Sequence, residues 1–334
     1  MSKKSTPPAK ETKKKSPWIT VLIALAVLLI ALILLDVIGA SVSIYGWAHP
    51  EKKTPESFPS DYGLDYYSFE LETDGGVIWG WKIAAQTPVP PDAEEWVYTT
   101  EYSDKTVVIA SNYDSSRENF DLGGLDYAVD LCSAGYNVFL FDWTGSGSSD
   151  GTKNVFTLDK VEELKAVVRY AAEETQASFL AVQGVGFSCY PAAVAAAECA
   201  EVDGLILDSC YEEFESVFYG RFPDWSGVDI APFRSTVKAL FPLLTGVKTE
   251  GLTLADPINA LNGKHVLFIQ GESDEVFGSA DAEHLSKLAA VDNETTVWMI
   301  AGAGHLRARA FDAEGYLKKV SGFLEDSYQA DHAA

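Results

Sequence analysis

The sequence predicts an α/β domain, a mostly parallel sheet with helices on both faces, carried behind one transmembrane helix. Three observations predict it. Short apolar runs alternate with segments whose apolar residues recur at helical spacing, the pattern of parallel strands joined by crossover helices. An opening pair of alternating segments is separated by Asp74-Gly75-Gly76, the chemistry of a hairpin turn. Ahead of both, residues 19–35 run without a single charge.

At about 1.5 Å per residue, a helix over residues 18–46 crosses a ~30 Å hydrocarbon core with some tilt. A cleaved signal peptide has a shorter apolar region, about 7 to 15 residues, with an Ala-x-Ala-like site close behind. This run is longer and no such site follows, so an uncleaved signal anchor is expected. Lys13, Lys14 and Lys15 precede the span directly. The positive-inside rule keeps that basic tail, residues 1–17, in the cytoplasm and faces the domain outward, as a single-pass protein of the cell membrane. Asp36 can reach the interface and is given no function. Residues 47–60 read as a polar stalk, and residues 61–330 suit one large domain better than two small ones.

The net charge is −24, and the tail up to Trp18 holds six lysines against one glutamate, so the rest is more acidic still. Such a surface lacks the clustered cations that neutralise phosphates, which excludes nucleic acid as a partner. Cys132, Cys189, Cys199 and Cys210 form no CxxC pair and have no histidines at ligand spacing, so no metal site is expected. One disulfide among them is geometrically conceivable but does not follow from spacing. GVGFS and GSGSSDG contain glycines, yet neither is G-x-G-x-x-G on an opening strand-helix unit, so no cofactor is expected.

In chain order, YYSFELETDGGVIWGWKIAA gives the hairpin and TVVIASNY, from Thr106, a buried strand. LDYAVDLCSAG is a helix with a glycine break, followed by a strand over residues 136–141 and a glycine-serine loop. LDKVEELKAVVRYAAEE is helical, SFLAVQG a strand and PAAVAAAECA an alanine-rich helix. GLILD, HVLFIQG and TTVWMIAG are three more strands before the terminal helix EGYLKKVSGFLEDSY. Residues 211–261, with their prolines and aromatics, interrupt the alternation and read as a small helical cap over the carboxyl edge of the sheet.

The order of four landmarks, PSDYGLDYYSFELETDGGVIWGW, GYNVFLFDWTGSGSSDG, GESDEVF and AGAGHL, resembles the α/β-hydrolase superfamily. Within it they look like the membrane-anchored serine-hydrolase branch related to serine aminopeptidase-like and BEM46-like proteins. The resemblance implies the α/β-hydrolase fold and acyl transfer by a serine, a histidine and an acid, with backbone N–H groups on the oxyanion. It places the acid at Asp274, in GESDEVF, and the general base at His305, in GAGHL. A turn-capping aspartate and a surface histidine are the structural alternatives.

The nucleophile elbow requires small residues two before and two after a serine in a strained strand-to-helix turn. In QGVGFSCYPAAVAAAECA, placing Ser188 there puts the bulky Tyr190 two residues on. Placing Gly186 there gives Gly184 and Ser188 as the flanks and is the favoured register, although glycine has no side chain to attack with. At the oxyanion loop the family's His-Gly pair is replaced by Ser111-Asn112, leaving Tyr113 and Phe187 as the backbone donors the resemblance implies. Ser111, Ser188 and Cys189 are candidate replacement nucleophiles, each with a structural alternative as turn hydroxyl or buried thiol, and Asp208 is an alternative acid.

Two functions follow. One is a membrane-anchored ester or amide hydrolase in which Asp274 orients His305 and a displaced hydroxyl, best Ser188, attacks. The other is a catalytically inactive relative that uses the pocket and cap to bind a ligand or protein partner. The expected partners are the membrane, through the N-terminal helix, and a small acyl or peptide-like ligand.

Overall fold

A computed structural model of the chain describes residues 17–89, 101–220, 222 and 226–333. One sheet of eight strands runs in the order β1-β2-β4-β3-β5-β6-β7-β8. The strands are β1 Tyr67–Thr73, β2 Gly76–Ile83, β3 Lys105–Ala110, β4 Asn137–Phe141, β5 Phe179–Val185, β6 Gly204–Asp208, β7 His265–Gly271 and β8 Glu294–Ile300. β1 and β2 form the hairpin, with Thr73 opposite Gly76, and β2 also joins β4 antiparallel. Every later pairing is parallel. All residues of β4, β5, β6 and β7 are buried, as a sheet covered on both faces requires.

The covering helices are α2 Asp126–Ser133, α3 Val161–Thr175, α4 Cys189–Glu198, α8 Ser279–Ala289 and α10 Ala313–His332, the last preceded by the short α9 Ala308–Phe311. Val108, Phe139, Val182 and Leu207 face α3, α4 and α8 in one apolar cluster. Val107, Leu140, Ile206 and Leu267 face α2 and α10 in another. The sequence reading left residues 272–293 without a helix. Yet β7 and β8 are parallel and must be joined by a crossover, which α8 supplies with Ala282, Leu285 and Ala289 buried at helical spacing.

Residues 211–261 carry α5 Phe214–Gly220, α6 Ala231–Thr245 and α7 Ala255–Ala260. Rings of α5 and α6 form a third apolar cluster with the end of the N-terminal helix, α1 Pro17–Ala48. Residues 17–35 of α1 are exposed on every side, whereas Ala40, Ile44 and Ala48 are buried in that cluster. Thr236 Oγ1 donates to Asp36, and a Cβ at Gly39 would lie 3.3 Å from the Phe233 ring.

Residues 47–60, expected as a stalk, make hydrogen bonds to the domain. The Ala48 carbonyl accepts from Asn154 N at 2.9 Å. Lys52 Nζ donates to the carbonyls of Ser149 and Gly151. The amides of Glu56 and Ser57 donate to the Glu118 carboxylate at 2.8 and 3.1 Å. Between the end of α1 and Pro59, residues 49–58 have no helix or strand of their own and find backbone partners on the domain surface. All four cysteines are buried and free, so the conceivable disulfide does not form.

Candidate active site

β5 ends at Val185 in extended conformation, and the chain then turns through Gly186 at φ 61° into α4. At Gly184 a Cβ would sit 2.7 Å from both the Ala192 Cβ and the Ser188 carbonyl, so strand and helix close on each other without a side chain between them. The left-handed residue of this corner is therefore Gly186, flanked by Gly184 and Ser188. Ser188 is fully buried, and its hydroxyl donates to the Ser111 carbonyl at 2.5 Å. That bond ties the start of α4 to the end of β3 and engages the Ser188 hydroxyl within the fold. Cys189 is also buried, its Sγ 3.4 Å from the Gly184 carbonyl, and burial pushes its thiol well above the usual range, away from thiolate chemistry. The Ser111 carbonyl accepts from Trp143 Nε1 at 2.8 Å as well as from Ser188, and the Ser111 side chain is buried.

The space beside Gly186 is taken by Asn112. Its Oδ1 accepts from the Phe187 amide at 3.1 Å and would lie 2.7 Å from a Cβ at Gly186. Its Nδ2 donates to Asp114 Oδ1 at 3.0 Å, which fixes the amide in that orientation. The loop carrying Asn112 is itself pinned. Arg117 donates to Asp142 through its backbone N at 2.6 Å and its Nη1 at 2.8 Å, with its guanidinium 4.5 Å from the centre of the Trp81 ring. Tyr113 gives its carbonyl to Ser146 Oγ and Asn154 Nδ2, and its ring packs 4.6 Å from Phe156 and 5.5 Å from Phe187.

Asp274 follows β7, with its carboxylate fully enclosed. Oδ1 accepts from the amides of Val276 and Phe277 at 2.9 and 2.8 Å. Oδ2 accepts from Gln270 Nε2 at 2.9 Å and lies 3.0 Å from His305 Nδ1. The imidazole stands edge-on to Phe277 at 4.4 Å and is 22% exposed. With Nδ1 engaged by the carboxylate, Nε2 is the nitrogen left for exchange with a ligand or solvent. Asp208, the alternative acid, accepts from Tyr316 OH at 2.7 Å and Ser209 Oγ at 3.0 Å. Burial raises its carboxyl to about 6.

No protein-family model and no curated protein matches the chain. Solved structures do. The Pyrococcus furiosus esterase Pf2001 superposes with a TM-score of 0.67 at 21% identity, covering 84% of this chain and 97% of the esterase. DcsB, solved with its substrate analogue, gives 0.60 at 17% identity over 79% and 99%. The α/β hydrolase GrgF from Penicillium sp. sh18 gives 0.58 at 16% identity over 79% and 99%. This chain has the α/β-hydrolase fold.

In this α/β-hydrolase fold the corner after β5 is roofed by aromatic rings. Phe156, Phe277, Tyr211 and Phe214 lie 4.9, 5.1, 5.5 and 5.9 Å from the Phe187 ring, centre to centre. They belong to the same cluster as Ala40, Ile44 and Ala48 of α1. Beside His305, Ser209 and Leu306 both adopt left-handed backbone, at φ 56° and 53°, and are joined by Leu306 N donating to Ser209 Oγ at 3.3 Å. Neither is a residue type that takes that conformation cheaply. Sequence reasoning missed Asn112 as the group filling the corner, and missed the Arg117–Asp142 pair behind it. The only sequence signal for either was the departure from His-Gly at Ser111-Asn112.

Proposed function

We propose that this chain is a membrane-anchored α/β-hydrolase-fold protein that retains an acid–base pair without a nucleophile, and that it binds a ligand or protein partner instead of cleaving an acyl bond. The observation that carries this reading is the Asn112 side-chain carbonyl bonded to the Phe187 amide beside Gly186. In an acyl hydrolase that amide would be offered to the developing oxyanion and the residue before it would supply the attacking oxygen. Here one is engaged and the other has no side chain. The ligand classes that suit the inherited scaffold are a small acyl or peptide-like molecule. Anchoring rests on α1, which is long and apolar enough to cross a membrane, and on the lysines before it, which favour a cytoplasmic tail and an outward domain.

The test is labelling of the purified full-length chain by a fluorophosphonate. No labelling of folded protein is expected, and labelling abolished by Ser188→Ala would overturn the reading. Ester or amide hydrolysis is the second reading, favoured by the intact Asp274–His305 contact and by the left-handed Ser209 and Leu306 beside it. In that case ester turnover by the purified chain disappears in His305→Ala.

A further inference from the structure

α1 leaves its fully exposed zone where the cap begins. Residues 17–35, exposed on all sides, span about 29 Å, the thickness of a hydrocarbon core. Trp18 and Tyr45, 76% and 64% exposed, sit ~40 Å apart along the helix, the thickness of a bilayer with its headgroup layers. α6 meets α1 at Asp36 and Gly39, inside that outer layer. Three large apolar side chains of α6 and its entry are exposed, Leu243 at 76%, Leu244 at 53% and Ile230, just before the helix, at 55%, alongside the polar Ser235 and Lys238. Ala231 and Ala239 are exposed on the same helix. α6 carries Arg234 and Lys238 and no carboxylate, in a chain with 49 Asp and Glu against 25 Lys and Arg. Those two cations pair with Asp229 and Glu215 at the surface, where they also reach solvent.

We propose that α6 is an interfacial helix lying in the outer leaflet of the bilayer that α1 spans, with Ile230, Leu243 and Leu244 among the acyl chains. The proposal rests on the reading of α1 as a membrane span. Lipid is the occupant of this face because α6 is joined to α1 through the Asp36–Thr236 bond where α1 leaves its fully exposed zone, and because α6 itself carries no carboxylate to be repelled by headgroups. The cap then sits on the membrane, and the corner after β5 faces the bilayer side of the domain.

The experiment places a nitroxide on single added cysteines in the full chain, reconstituted in phosphatidylcholine vesicles; the four native cysteines are buried. Leu243→Cys reports on α6, Leu28→Cys on the exposed part of α1, and Val291→Cys on the opposite edge of the sheet. Collision with oxygen, which concentrates in the bilayer, is compared with collision with a water-soluble nickel chelate. Oxygen is expected to dominate at 28 and 243, and nickel at 291. Nickel dominating at 28 overturns the membrane span itself. Oxygen at 28 with nickel at 243 overturns the interfacial helix and leaves the span standing. Protection from both reagents at 243, with spectral broadening that grows with protein density, overturns it in favour of a second copy of the chain.

Discussion

Asn112 and Phe187 are joined across the corner of the sheet, the side-chain carbonyl of one 3.1 Å from the backbone nitrogen of the other. The same oxygen would lie 2.7 Å from any substituent on Gly186. A neutral amide thus holds both the donor and the volume that an acyl substrate and its attacker would need. On the proposed reading, restoring a serine at 186 alone is expected to leave the corner closed.

Gly186→Ser is expected to lose ~1–2 kcal/mol from left-handed backbone and to remain unlabelled by fluorophosphonate. Combined with Asn112→Gly, which empties the corner, labelling should appear and should depend on His305. The checks are gel labelling and the urea midpoint in detergent. Equal labelling of the single and double variants would show that Asn112 does not block the corner.

Asp274 serves the fold whether or not it serves a reaction. Its carboxylate accepts from the backbone amides of Val276 and Phe277 and from the Gln270 side chain, and it contacts His305. Asp274→Ala is expected to cost about 2–4 kcal/mol, because the orphaned donors have no water to turn to. His305→Ala, at a partly exposed ring, should cost much less. Equilibrium denaturation of the two variants distinguishes these outcomes.

Asp208 gives the domain a pH dependence of definite sign. Burial raises its carboxyl to about 6 from an ordinary 3.8, against the Tyr316 and Ser209 hydroxyls and His305, which pull it down. The folded state therefore binds this proton more tightly than the unfolded chain does. The resulting stability is present below about pH 4 and is lost as pH rises to about 6, by roughly 3 kcal/mol. Asp208→Asn keeps an acceptor for Tyr316 and removes its share of the slope, leaving that of Asp121, which burial also raises to about 6. The wild-type urea midpoint should fall relative to that of the variant across this window, and a difference constant with pH would eliminate Asp208 as its source.

Ile44 tests whether the end of α1 is part of the domain. It is 1% exposed, and Ile44→Ala is expected to cost about 2–4 kcal/mol and to increase proteolysis within residues 211–261. Leu28→Ala, on the exposed part of the same helix, should leave the cleavage pattern unchanged. Identical patterns for both variants would separate the anchor from the cap.

The hairpin and the buried parallel strands were legible because their periods, alternation in one case and unbroken apolarity in the other, are set by the solvent each face meets. The small-residue spacing Gly184-Gly186-Ser188 likewise pointed to the left-handed corner, since a side chain at 184 has no room. α8 was missed because Asp281, Glu283 and His284 interleave with its small apolar residues and dilute the helical stripe. The contacts of residues 47–60 with the domain were not legible, because polarity there reports affinity for hydrogen bonds without saying whether water or Glu118 supplies them. Asn112 was visible as a residue, but the direction of its side chain depends on Phe187, 75 positions away.

The Asp36–Thr236 bond joins groups 200 positions apart, so the first part of the domain to be synthesised waits for one of the later ones. At about 5–20 residues per second, roughly 10 to 40 s separate the emergence of the two partners. During that interval Ala40 and Ile44 lack the cap rings that bury them in the finished domain. The cap is thus assembled late, and any delay in translation leaves an unfinished helix end uncovered.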